Sequence, residues 1–222
     1  MTRPMAQFGY FEPVPYRVRG IRGKTVVVDS DRARLLRREG ESVPVFCFPR
    51  GDVRVDLLPE GTLREHDGHL IVPWEAVTEW FGEEAQLFGH ARDPYHRIDV
   101  FPTTRHVRVL RDGELLAETW RAKALYETRL PVRWYMPIED VRAELIPSRT
   151  KTRCAYKGSA SYFSVRVGDR VLDDLVWTYR EPQLEAEPVR DYICFFNERV
   201  DLDVDDVRSE RPRTQWSRDD DS

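Results

Sequence analysis

Apolar and polar residues alternate along most of this chain with the period of a half-buried strand rather than that of a helix. HVRVLRDGELLAET (106–119) places strand-like residues on both sides of Asp112-Gly113, a pair suited to the positive φ angles of a tight hairpin turn. ASYFSVRV (160–167), a Gly-Asp turn, VLDDLVWTY (171–179) and DYICFF (191–196) extend the same pattern. Pro137 is expected to open a short helix, with Glu139 and Asp140 in its first turn and Ile138, Val141 and Leu145 on one face. WEAVTEWFGEEAQLFG (74–89) departs from the strand pattern. Trp74, Val77, Phe81 and Phe88 predict an amphipathic helix ending at Gly89.

The chain also repeats itself. PRGDVRVDLLP (49–59) matches PIEDVRAELIP (137–147) at an offset of 88 (137 − 49), and VVVDSDRARLL (26–36) parallels LLAETWRAKAL (115–125) at 89 (115 − 26). VPVFCFP echoes LPVRWYMP between these blocks. The expected fold is therefore mainly β: two tandem units, each with a short helix, and one extra amphipathic helix in the first. The boundaries predicted are 1–104 for a first, degenerate unit, 105–205 for a complete second unit, and 206–222 for a charged, disordered tail. Where the second unit carries TRCAYKGSASYFSV (152–165), the first has only LREHDGHL. That asymmetry assigns the site to the second unit.

Composition narrows the function classes. The 222 residues include 41% hydrophobic side chains, enough for a core, and the 33% that are charged nearly cancel to −4. A near-neutral chain without a basic stripe is not expected to bind nucleic acid. The opening MTRPMAQFGYFEP lacks the apolar centre of a signal peptide, and no apolar run is long enough for a membrane span, so a soluble, cytoplasmic protein is expected. Cys47, Cys154 and Cys194 are widely spaced and odd in number, which argues against a disulfide framework. No Cys-x-x-Cys pair is present, and His66 and His69 have no cysteine nearby, so no metal and no cofactor are expected.

The candidate chemistry gathers around Lys157. The chain has four lysines and therefore 31 arginines among its 35 basic residues, and Lys157 lies between Tyr156 and Gly158. It is either a solvated loop residue or a pocket cation. The second reading is preferred, because arginine otherwise supplies the surface charge and its neighbours favour burial. Cys154 is a small core residue or a thiol nucleophile, and Ser159 and Ser161 line the turn. Arg133 and Tyr135 share one strand face, as do Trp177 and Tyr179. The first unit has Val45, Phe46 and Cys47 where the second has Arg133, Trp134 and Tyr135. The expected ligand-binding set is Lys157, Arg133 and Glu127 for polarity, Tyr135, Tyr156, Trp177 and Tyr179 as walls, and Cys154, Ser159 and Ser161 at the turn.

LPVRWYMPIEDVRAELI, TRCAYKGSASYFSV and LVWTYREP together resemble the bacterial family called domain of unknown function 427, and the whole chain resembles its tandem version. The resemblance implies a β-tent fold, shared with methionine sulfoxide reductase B and Yippee proteins. Many proteins of that fold hold zinc through paired Cys-x-x-Cys motifs, which this chain lacks. The family's nucleotidyltransferase label implies two carboxylates alternating on a strand; here Asp173 and Asp174 are adjacent and would face opposite ways. The expected function is binding of a small polar or anionic molecule in the second unit. The alternatives are an enzyme using Lys157 or Cys154 in the same pocket, and a protein-interaction scaffold. A homodimer is among the assemblies expected.

Overall fold

The computed structural model describes residues 9–218. Its secondary structure is almost entirely antiparallel β, in two units that divide between Tyr95 and His96. The division precedes the boundary expected after residue 104, because the strand formed by Ile98–Pro102 pairs with a strand of the second unit.

In the first unit the strands are β1 (Tyr10–Pro13), β2 (Val18–Arg22), β3 (Thr25–Ser30), β4 (Arg34–Arg37), β5 (Val45–Pro49), β6 (Arg64–His66), β7 (His69–Ile71), β8 (Glu79–Gly82) and β9 (Ala85–Leu87). They form a five-stranded sheet, β1-β4-β5-β7-β6, and a four-stranded sheet, β3-β2-β8-β9. Val18, Val28, Phe46, Phe48 and Trp80 lie in the buried core of this unit. The helix expected over 74–89 is instead one 3₁₀ turn (Trp74–Ala76) followed by the β8–β9 hairpin. Glu83 takes φ 50° at its turn. Trp80 is buried against Phe46, Phe48 and Trp74, whereas the next residues of β8 are half-buried. Burial of one large aromatic therefore overrides the helical spacing.

The second unit comprises β10 (Ile98–Pro102), β11 (Val107–Arg111), β12 (Glu114–Thr119), β13 (Lys123–Glu127), β14 (Arg133–Met136), β15 (Leu145–Cys154), β16 (Gly158–Val167), β17 (Arg170–Pro182), β18 (Ile193–Phe195), β19 (Asp201–Val204) and β20 (Val207–Ser209). Its sheets run β10-β13-β14-β18-β17-β16-β15 and β12-β11-β19-β20. The β11–β12 hairpin turns at Asp112 (φ 53°) and Gly113 (φ 81°), as the sequence pattern predicts. The helix expected after Pro137 is a single 3₁₀ turn, Ile138–Asp140, with Val141 already extended and bridged to Ala117. Asp140 accepts hydrogen bonds from Thr119 Oγ1 (2.6 Å) and Arg121 Nη2 (2.6 Å). Asp52 of the first unit does the same with Ser30 Oγ (2.7 Å) and Arg32 Nη2 (2.6 Å).

The tail expected to be disordered belongs to the fold as far as residue 218. β20 pairs with β19, Arg211 Nη2 bonds Asp201 Oδ1 at 2.8 Å, and Thr214 and Trp216 pack beside buried groups of the larger sheet. Its charge pattern concealed a threonine and a tryptophan with buried partners. Residues 219–222 lie outside the described part.

TRCAYKGSASYFSV runs through the end of β15 and most of β16, which have 10 residues each, and the neighbouring β17 has 13, whereas β6 and β7 of the first unit have three each. β15 is an edge strand whose exposed Arg149, Lys151 and Arg153 discourage edge-to-edge association. Gly158, closing the β15–β16 turn, has φ 93°, and a Cβ there would lie 3.0 Å from the Glu181 carbonyl oxygen. Gly158→Ala should therefore lower stability by about 1–3 kcal/mol through combined strain and close contact. Urea unfolding of the full chain measures this; an unchanged midpoint would show that the turn relaxes freely.

Candidate functional site

Strand alternation gives the seven-stranded sheet two different faces. One carries Met136, Phe163, Val176 and Ile193 into the main core of the second unit. The other carries Leu125, Tyr135, Trp177, Tyr179 and Cys194. Register aligns these side chains: Tyr135 lies opposite Cys194, which lies opposite Trp177. Trp177 Nε1 donates to the Tyr135 hydroxyl at 2.9 Å. The expected aromatic walls thus bury one another. Burial raises the Tyr135 and Tyr179 phenols well above their ordinary values, and pushes the Cys194 thiol up to about 12.

Lys157 stands at the rim of this face. The turn after β15 buries Ala155, Tyr156 and Lys157 in succession, and Gln183 N–H fixes it by donating to the Lys157 carbonyl at 3.1 Å. The Lys157 side chain runs inward, with the residue only 9% exposed, and its Nζ donates to Glu127 Oε2. An ammonium has three N–H donors. The two others have no acceptor among the described residues. The Tyr179 hydroxyl also has no hydrogen-bond partner there, and both Cys154 and Glu127 act on it electrostatically.

Glu127 ends β13 and is almost completely buried. Its second oxygen, Oε1, meets His96 Nε2 at 3.0 Å, and the His96 ring stacks on Tyr156 with centroids 3.9 Å apart. Burial pushes the Glu127 carboxyl up, but the His96 hydrogen bond and the Lys157 charge outweigh it, leaving the group below its ordinary 4.5. His96 is the member that the sequence analysis missed. It sits two residues ahead of Ile98, the β10 residue that pairs with Glu127, a signal legible only once that register is known.

Arg133 projects from β14 onto the same face but has its own carboxylate. It donates to both oxygens of Glu198, at 2.7 Å each, and Thr214 Oγ1 adds a third bond at 2.7 Å. Its guanidinium lies 5.5 Å from the Trp177 ring centroid and 5.4 Å from that of Trp216. Burial raises the Glu198 carboxyl, yet the Arg133 hydrogen bonds and charge hold it below the ordinary range. Glu198, Thr214 and Trp216 were invisible as site neighbours because their register sets them beside Arg133 from far along the chain. Arg133 and Lys157 both act on the Cys194 thiol, so the two pairs flank one cysteine.

The remaining candidates lie on the β15–β16 hairpin. Cys154 is half-buried, and its Sγ accepts the Tyr156 N–H at 3.5 Å. Ser159 is exposed and accepts from Arg153 Nε at 3.3 Å; Ser161 is half-buried opposite Thr178. Cys47 and Cys194 are buried, so Cys154 is the most accessible of the three thiols.

Fold and site define a class: a mainly β, antiparallel protein with paired charges buried on an aromatic sheet face. Residues 99–206 match the family model described as Domain of unknown function (DUF427), a span that includes Glu127, Arg133, Lys157 and Glu198. Comparison with curated proteins finds no match.

Glu127→Gln would leave the Lys157 ammonium without its counter-charge and should cost about 3–5 kcal/mol in chemical denaturation. The depressed carboxyls of Glu127 and Glu198 add an acid dependence. Their contribution is fully present above the unfolded value of 4.5 and is lost as pH falls through the lower folded values. Stability should therefore fall steadily below about pH 5, and less steeply in Glu127→Gln; parallel profiles for the two proteins would contradict the assignment.

Proposed function

We propose that the second unit binds a small polar or anionic molecule at the rim of its aromatic face, with Lys157 as the principal contact. The observation that carries this reading is the buried ammonium with two unused donors. A fully structural ion pair would be expected to satisfy more of them. The ligand approaches from the side of the Tyr179 hydroxyl and Cys154, while Glu127 and His96 hold the lysine in place. Arg133, its charge matched by Glu198, holds the same face together without contacting the ligand. Tyr135 and Trp177 serve as the packed floor.

We further infer that the chain is a tandem duplication of β-tent-like units. The matched sheet orders, the equivalent Asp52 and Asp140 networks, and the bridges Val28–Val53 and Ala117–Val141 support this. Among the described residues no helix is long and apolar enough to cross a membrane. Three free cysteines suit a reducing compartment, and we place the protein in the cytoplasm.

A second reading, acid–base catalysis, is favoured by one observation: His96 and Lys157 occupy opposite oxygens of a single carboxylate, an arrangement that can exchange protons. It uses the same residues.

Thermal unfolding with inorganic phosphate, malonate and succinate tests the binding proposal. An anion at about 100 times its Kd should stabilise the chain by about 2.7 kcal/mol, a shift of several degrees. Lys157→Met keeps the apolar stem and should abolish the shift. A parent protein indifferent to all three, or a Met variant that responds equally, would refute it.

A further inference from the structure

The first unit, from which the candidate site is missing, contains a cavity of about 570 Å³. That volume lies within the range of ordinary small-molecule sites. Its walls include Val45, Ile71 and Trp74, and Arg64 and Arg38 stand among its lining residues. Register explains why it is open. Val45 pairs with Leu36 as Arg133 pairs with Leu125, so Val45 occupies the strand position of Arg133. In the second unit that position carries a guanidinium packed against Glu198, Trp177 and Trp216. Valine is too short to reach as far.

The two arginines differ in a way that identifies the occupant. Arg38 is engaged by Glu41, through Nη1 to Oε1 at 3.0 Å. Arg64 has no hydrogen-bond or ion-pair partner among the described residues. It projects from β6 opposite Ile71, on the face that also carries Cys47. An apolar cavity with one unmatched guanidinium fits a molecule with an apolar or aromatic body and a single anionic group. A polyanion such as a nucleoside triphosphate suits it poorly, because Glu75 also lines the cavity and would repel added negative charge.

We propose that the first unit is a second, separate binding site, for a monoanionic apolar molecule of the aromatic carboxylate or sulfonate class. The site stands apart from Lys157 and survives failure of the proposal for the second unit. Arg64 binds the anionic group, and Trp74 packs against the body. Because the guanidinium is planar and forked, it engages the anion through two parallel hydrogen bonds.

The test is a fluorescence titration of the full chain with 1-anilinonaphthalene-8-sulfonate, an aromatic monosulfonate that brightens in apolar surroundings. The parent protein should bind one equivalent saturably, and 4-phenylbutyrate should displace it. Arg64→Gln alters an exposed side chain and should weaken binding by at least about tenfold, the scale of a lost charge-assisted hydrogen bond. Val43→Trp, at a partly exposed lining position, should abolish it by filling the space. Arg105→Gln, an exposed charge change in the second unit, should leave it unaltered. Absence of saturable binding, or binding that survives either Arg64→Gln or Val43→Trp unchanged, overturns the proposal.

Discussion

A charge removed from water must find an opposite charge, and this requirement organises both units. Glu127 ends a strand whose side chains point into an aromatic layer, where an unpaired carboxylate would cost several kcal/mol. Lys157 and His96 relieve that cost from two directions, and the Gly158 turn exists in a form that lets the lysine reach inward. Arg133 and Glu198 solve the same problem on the same face. In the first unit Arg37, next to Leu36 on β4, is buried with Asp93 Oδ2 at 3.0 Å, so there too a buried charge has its counter-charge.

Much of the β architecture was legible from alternation and turn residues. The β11–β12 hairpin could be read from Asp112-Gly113, and the long β16 and β17 from their apolar runs. Arg133 with Tyr135, and Trp177 with Tyr179, share a face because strand geometry permits nothing else. The helix over 74–89 was misread because Trp74, Val77, Phe81 and Phe88 have helical spacing, while Trp80 governs the fold by its burial. Residues 206–218 take part in the fold through contacts that their charges do not signal, since nothing local shows that Thr214 and Trp216 have partners near Arg133.

Within the site, Lys157, Arg133 and Glu127 were expected together as ligand contacts, whereas the Lys157–Glu127 ion pair and the places of His96 and Glu198 were not foreseen. Non-local pairing is decided by strand register, and register is fixed by the sum of the packing rather than by any short motif. The same register gives the two halves different side chains at these positions. Arg133 and Tyr135 fill the second unit's sheet face, while Val45 and Cys47 leave the first unit's face apolar beside an open cavity.

The account holds that the Lys157–Glu127 pair is kept for what it binds rather than for stability. A buried pair can be replaced by apolar groups of similar volume at little cost, whereas breaking it leaves a bare charge. Equilibrium urea unfolding of the double variant Glu127→Leu/Lys157→Met, beside each single variant, tests this most directly. The account predicts that the double variant stays within about 1 kcal/mol of the parent protein while each single variant loses about 3 kcal/mol or more. A double variant destabilised as much as the sum of the singles would show that the pair is structural and contradict the account.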